Sequence, residues 1–191
     1  MEIISHHMDK KMSENISTSE QIVTKTSEAI IEEAKRIEEN CQYSAKGHFV
    51  ASQFWNNFSL WIGIPTVILA AVTGVLAFAS VILLVGILSA VVVVLSSVTT
   101  FLNPKERANA HLLAGNNYDS LLTKARIFWT IDCKTEISEQ ILTNKLKDIV
   151  DQRDKLNREC PPIPSWAYNK GKKGIERGEY HYRVDREKNI K

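Results

Sequence analysis

The strongest constraint on this chain is a long uncharged run in its middle. Between Lys46 and Lys105 there is no Asp, Glu, Lys or Arg, although these four residue types make up 24% of the sequence. At about 1.5 Å per residue the run is too long for one helical crossing of a hydrocarbon core roughly 30 Å thick, and it suits two helices of about 20 residues. The sequence therefore predicts a membrane-spanning helical hairpin within residues 47–104, with soluble segments on either side.

We place the first span at about residues 58–78 and the second at about 81–102, with the turn near Ala79 and Ser80. Two alternatives remain open: a hairpin buried in the core of a soluble protein, and one long tilted helix. A soluble core would need other amphipathic elements to surround so long an uncharged run, and the rest of the chain is too short to supply them.

The flanking residues predict orientation and compartment. Lys46 precedes the spans and Lys105 and Arg107 follow them, so the positive-inside rule places both termini in the cytoplasm. We expect no cleavable signal peptide, because residues 1–40 are polar and acidic. The three cysteines have no spacing typical of disulfides or metal sites, which favours a reducing compartment.

The segments outside the run have helical periodicity. We expect residues 1–17 to be flexible and residues 18–46 to form an amphipathic helix. Residues 105–160 are expected to form a pair of helices, the second at about residues 135–159, and residues 161–191 a basic, aromatic tail. Apolar faces are predicted from Ile30, Ala34, Ile37, Cys41 and Ala45; from Ala108, Leu112, Gly115, Leu122, Ala125 and Trp129; and from Ile137, Ile141, Ile149 and Leu156.

The predicted fold class is therefore all-α. A two-pass transmembrane hairpin is preceded and followed by long amphipathic cytoplasmic helices. Each of these helices has an apolar face to bury, so we expect an oligomeric helical bundle within or between subunits.

Small and hydroxyl-bearing residues recur on each predicted span. They are Ser59, Gly63, Thr66, Ala70, Thr73, Gly74 and Ala77 on the first span, and Gly86, Ser89, Ala90, Ser96 and Thr100 on the second. Tight packing explains the pattern, because small residues let helix backbones approach closely. Alternatively, several subunits turn one such face to a water-filled centre. Both interpretations stay open, and such a pore would be weakly selective because the run has no charged ring.

Two segments carry a resemblance to a known family. The first, FLNPKERANAHLLAGNNYDSLLTKARIF, contains the motif residues Leu102, Asn103, Pro104, Ala110, His111, Gly115, Asn116 and Tyr118. The second, RDKLNRECPPIPSWAYNKGKKGIERGEY, contains Pro161, Pro162, Pro164, Trp166 and Tyr168. Together with the helix-hairpin layout of residues 20–185, these motifs resemble the SLATT family of bacterial two-transmembrane effectors.

The resemblance implies an effector of anti-phage, abortive-infection systems that forms pores in the bacterial inner membrane. Members of that family occur with nucleotide second-messenger synthases, nucleotide-sensing domains or reverse transcriptases, and we expect such a component to be a separate protein here. The expected partners are membrane lipid, further copies of the chain, and a separate sensor or its nucleotide or nucleic-acid product. Other candidates are a non-conducting anchor or scaffold that recruits a defence enzyme, and a membrane-disrupting assembly without a defined pore.

The tail is the candidate contact for such a ligand. Its basic residues alternate with glycine and are flanked by aromatic residues, a composition that suits phosphates and stacked bases. The basic residues are Lys170, Lys172, Lys173 and Arg177, and the aromatic ones Trp166, Tyr168, Tyr180 and Tyr182. Alternatively, the aromatic residues dock on the helical bundle and the lysines face anionic lipid headgroups.

No catalytic site, metal site or cofactor is predicted. His111 has no nucleophile placed with it by spacing, and Asn116, Asn117 and Asp119 are expected to bond within the bundle. The other four histidines, His6, His7, His48 and His181, form no ligand cluster in the sequence. We therefore expect a protein that is not an enzyme.

Overall fold

The computed structural model describes residues 2–79, 81–135 and 137–179, with side chains from residue 26 onward. The helices are α1 (Glu2–Phe78), α2 (Ile82–Leu102), α3 (Pro104–Thr130), α4 (Glu139–Glu159) and α5 (Ser165–Glu176), with a 3₁₀ turn at Asp132–Lys134. No strand occurs among the described residues, so the all-α prediction is confirmed. Ser80 of the predicted turn and residues 180–191 of the predicted tail lie outside the described part.

Helix α1 joins the predicted first helix to the first span without a break. We expected residues 1–17 to be flexible, whereas α1 already includes residues 2–17. Pro65 lies inside α1 without ending it. The predicted apolar face is buried from Ile30 to Ala45, as the helical spacing of its residues requires.

The two apolar helices have the length and composition needed to cross a membrane, and no residue of their apolar windows is buried. A hairpin in the core of a soluble protein would be buried, so the exposure argues against that alternative. The break after Phe78 argues against one long helix. Contiguous exposed apolar surface of this extent needs lipid or protein to cover it.

One residue connects α2 to α3. Asn103 adopts the left-handed conformation, with φ 41° and ψ 57°, and its N–H donates to the Thr99 carbonyl at 3.0 Å. Asn tolerates this conformation better than most residues, and Pro104 suits the first position of α3, where its missing N–H needs no partner. The Leu102-Asn103-Pro104 motif is thus a direct helix-to-helix joint.

The described residues form two compact units. The first unit comprises residues 2–42 and 117–159 and is a bundle of three helices, supplied by α1, α3 and α4. Its core contains Ile30, Ala34, Ile37 and Cys41 of α1, Tyr118, Leu121, Leu122, Ala125 and Phe128 of α3, and Leu142 and Ile149 of α4. Burial raises the pKa of the Cys41 thiol to about 11, against a smaller opposite effect of Arg153, so this thiol is an inert packing group.

Two residues of the predicted apolar faces are exposed instead. Leu112 of α3 is 45% exposed and Ile141 of α4 is 49% exposed. In α4 the buried stripe is centred on Leu142, and Ile141 lies about 100° around the helix from it. The prediction chose the wrong one of two adjacent apolar residues.

The second unit comprises residues 43–79, 81–116 and 160–179. It contains the apolar part of α1, α2, the start of α3, and α5. Small residues let its helices approach closely: a Cβ on Gly115 would lie 2.7 Å from the Phe49 ring, and one on Gly171 would lie 3.1 Å from the backbone nitrogen of Gly47. Helix α5 itself was not predicted, because its residues were assigned to a tail.

Candidate functional site

Half-buried residues recur every three or four positions along both apolar helices. Those that continue one row along each helix are Ile62, Thr66, Leu69, Thr73 and Leu76 on α1, and Val85, Leu88, Val92, Leu95, Thr99 and Leu102 on α2. This spacing is typical of helices packed side by side. We call these residues the hairpin seam.

The predicted small face of α1 is divided by this seam. Ser59, Gly63, Thr66 and Thr73 are half-buried, whereas Ala70, Gly74 and Ala77 are exposed. The Thr66 hydroxyl donates to the Ile62 carbonyl and the Thr73 hydroxyl to the Leu69 carbonyl, both at 2.7 Å. Because these hydroxyls bond within their own helix and lie in the seam, their placement fits the packing interpretation.

The small residues of α2 lie on a different side of the helix. Gly86, Ser89, Ala90, Ser96, Ser97 and Thr100 are all exposed. At about 100° per residue, the mean direction of these side chains around the α2 axis is roughly 130° from that of the hairpin-seam residues of α2. We call this surface the α2 small face. A Cβ on Gly86 would meet no atom within 4 Å, so the hairpin leaves this face uncovered.

Two buried histidines meet where α1 and α3 pack together. The Nδ1 atoms of His48 and His111 lie 2.9 Å apart, and the residues are 1% and 6% exposed. One ring must donate and the other accept, so the accepting imidazole is neutral, and the lowered pKa values of both histidines keep both rings neutral at pH 7. Burial and then the nearby His111 lower the pKa of His48 from 6.5 to about 4, and burial and then Arg107 lower the pKa of His111.

Sequence analysis missed this histidine pair. The partners are separated by 63 positions, and no local spacing connects them. The available signal was indirect: each histidine lies one helical turn from buried small residues, Ala45 and Ser52 for His48, and Ala108 and Gly115 for His111. No group of three or more His, Cys, Asp or Glu side chains able to hold a metal occurs in the part of the chain that the structure describes. The pair is therefore best described as a contact between α1 and α3.

Helix α5 packs on α1 through small and aromatic residues. Ala167, Gly171 and Gly174 form its buried side. The Trp166 ring lies 4.8 Å from the Phe54 ring, and the Tyr168 ring lies 6.2 Å from the Tyr43 ring, measured between centroids. These contacts fix α5 beside the part of α1 that precedes the first span.

The four predicted ligand-contact residues, Lys170, Lys172, Lys173 and Arg177, are all exposed. Lys172 Nζ lies 3.9 Å from Glu176 Oε1. Lys46 forms an ion pair with Glu179, and the hydrogen bond in this pair is the main cause of the lowered pKa of the Glu179 carboxyl. All four basic side chains therefore lie outside the buried side of α5, which is formed by small residues.

The family-motif residues have separate structural positions. The Tyr118 hydroxyl donates to Asn157 Oδ1 at 2.8 Å and joins α3 to α4. Asn103 and Pro104 form the helix joint, and His111 belongs to the buried pair. Asn116 and Pro162 are exposed, and Trp166 packs on Phe54.

Comparison with known proteins finds no family model, no curated protein and no solved structure that matches this chain.

Proposed function

We propose that this chain is a two-span membrane protein whose copies associate and permeabilise the membrane. The observation that carries the proposal is the α2 small face, which stays uncovered although the hairpin seam is already packed. Small residues are where transmembrane helices approach one another most closely. Copies either pack through this face or turn its hydroxyl groups to a water-filled centre.

The proposed pore would be weakly selective, because no charged residue occurs between Gly47 and Pro104. Rings of Val, Leu and Phe would exclude water in the closed state, and separation of the helices would admit it. In this proposal both termini lie in the cytoplasm of a bacterium, since Lys46, Lys105 and Arg107 flank the spans.

We further propose that the chain is an effector of anti-phage defence. The support is the resemblance to the SLATT family, carried by the Leu102-Asn103-Pro104 joint and by the Pro161-Pro162 and Trp166 motif. A separate sensor, or its nucleotide or nucleic-acid product, would trigger the effector.

A second candidate function is a membrane scaffold that recruits a defence enzyme. A groove of about 500 Å³ between α3 and α4 favours it, because its lining combines apolar residues such as Ile127 and Ile141 with charged ones such as Lys124 and Asp148. Such a groove suits an amphipathic segment of a partner protein.

Dye leakage from liposomes distinguishes the two functions. The purified chain is reconstituted in bacterial lipid, its insertion is verified by flotation, and leakage is recorded for dyes of increasing size with and without the companion enzyme's product. Graded leakage is expected for a pore. Tight liposomes that contain the inserted chain under both conditions would contradict the pore and favour the scaffold.

Variants then test the α2 small face. Ser89→Leu with Ser96→Leu should abolish leakage, because two large side chains would block either a pore lining or a close helix contact. The matched control is Val91→Leu with Val94→Leu, two exposed residues outside both the α2 small face and the hairpin seam, which should leak like the wild type. Equal leakage from both double variants would exclude the α2 small face from the mechanism.

A further inference from the structure

Two aromatic residues on different sides of α5 contact α1 at different positions along its length. Trp166 contacts Phe54, whereas Tyr168 contacts Tyr43. Phe54 and Tyr43 are separated by about 16 Å along α1, and Phe54 is the one nearer to the first span. Trp166 therefore marks the side of α5 that faces the apolar hairpin, and Tyr168 marks the side that faces away.

The side marked by Trp166 is also the basic side. Residues at spacings of four, three and four share one side of a helix, and Trp166, Lys170, Lys173 and Arg177 have this spacing. All four are exposed. Lys172 lies on the opposite side and is within 3.9 Å of the Glu176 carboxylate. We call the first four residues the basic stripe.

An aromatic cluster continues the basic stripe toward the first span. The Phe54 ring lies 4.8 Å from Trp166, 5.5 Å from Trp55 and 6.2 Å from Phe58. The Arg107 guanidinium lies 5.1 Å from the centroid of the Trp55 ring. Tryptophan and basic side chains are typical of the headgroup region, where an apolar body and a polar group are both accommodated.

We infer that α5 is an interfacial helix whose basic stripe binds anionic lipid headgroups. This inference rests on the proposed membrane insertion of the hairpin. The stripe is one row along a convex helix, continuous with the aromatic residues at the end of the first span, so it suits a flat anionic surface. A nucleotide is normally held in a concave site by converging polar groups, which this row does not provide.

Lysine acetylation tests the inference on the full chain. The protein is inserted into nanodiscs of phosphatidylcholine alone, or of equal parts phosphatidylcholine and phosphatidylglycerol, and the acetylation rate of each lysine is measured by mass spectrometry. Acetylation of Lys170 and Lys173 should be roughly fivefold slower with phosphatidylglycerol, which corresponds to about 1 kcal/mol per basic residue near an anionic surface. Lys172 is the internal control and should react equally in both lipids. High salt should remove the difference, because it screens exposed charges.

The outcomes separate this inference from the proposed function. If the chain elutes without lipid, the proposed membrane insertion is wrong and the headgroup contact is overturned with it. If the chain inserts but Lys170 and Lys173 react equally in both lipids, only the headgroup contact is overturned. Protection of both lysines by ATP or a short single-stranded oligonucleotide in phosphatidylcholine discs, with none from phosphatidylglycerol, would also overturn it and assign α5 to nucleotide recognition.

Discussion

Acidification should destabilise the contact between α1 and α3 through the buried histidine pair. The pKa of His48 is lowered in the folded chain from 6.5 to about 4, so the unfolded chain binds the proton first as the pH falls. The stabilising effect of the neutral pair is complete above pH 6.5 and is lost as the pH falls toward 4. For His48 alone the loss is about 2 kcal/mol at pH 5 and about 3 kcal/mol at pH 4, relative to pH 7.

The geometry explains the sign of this effect. With both rings neutral, one Nδ1 donates to the other across 2.9 Å. Protonation buries a positive charge, and once the accepting Nδ1 is protonated both Nδ1 atoms are donors and the hydrogen bond is lost. The charge of Arg107 opposes protonation of His111 as well, and it lowers the pKa of that histidine further.

Thermal unfolding in a nonionic detergent at pH 7 and pH 5 measures the loss. For a chain of this size, about 2 kcal/mol corresponds to a decrease in Tm of roughly 4–8 °C. The control is the double variant His48→Leu, His111→Leu, which replaces both partners with apolar groups and should keep most of its stability at pH 7. Its Tm should hardly differ between the two pH values. An equal decrease in the wild type and the double variant would refute the reasoning, as would an NMR titration in which His48 protonates near pH 6.5.

Three further predictions concern packing and helix joints, and thermal unfolding of each variant measures them. Gly115→Ala should lower the free energy of unfolding by about 1–2 kcal/mol, because the new Cβ would lie 2.7 Å from the Phe49 ring and this overpacking outweighs the better helix propensity of Ala. The control Gly63→Ala should show no such loss, because a Cβ at Gly63 would meet no atom within 4 Å. Asn103→Ala should lower stability by about 1–2 kcal/mol because Asn103 has φ 41°, whereas Asn103→Gly should be tolerated. Glu38→Gln should lower the free energy of unfolding by about 1–3 kcal/mol, because Arg126 Nε donates to the Glu38 carboxylate at 2.7 Å. The control is Glu39→Gln, which should change it by less than about 0.5 kcal/mol because Glu39 is exposed.

The elements that sequence analysis predicted have strong local signals. The hairpin was predicted because an uncharged run between Lys46 and Lys105 has few physical explanations. The apolar face from Ile30 to Ala45 was predicted because its spacing repeats with the helical period. Both signals lie within a single segment and need no information about its neighbours.

The elements that were missed depend on contacts between distant segments. Gly171 and Gly174 lower the helix propensity of α5 by about 1 kcal/mol each, so the segment was assigned to a tail. In the structure Gly171 lies against the α1 backbone at Gly47, a close approach that a larger residue would disturb. The histidine pair likewise depends on a contact between α1 and α3, for which a single sequence has no local signal.

The separation of the hairpin seam from the α2 small face has a consequence for assembly. Lipid tails are as apolar as Leu or Val, so the hydrophobic effect does not hold transmembrane helices together, and close packing must do so. In the proposed assembly the seam provides that packing within one chain, and the α2 small face would pack against another copy. In the proposed pore, association therefore leaves the hairpin intact, and its energetic cost is mainly the lost freedom of the separate copies. A trigger has to offset only that cost, either by favouring association or by favouring the open form of an existing assembly.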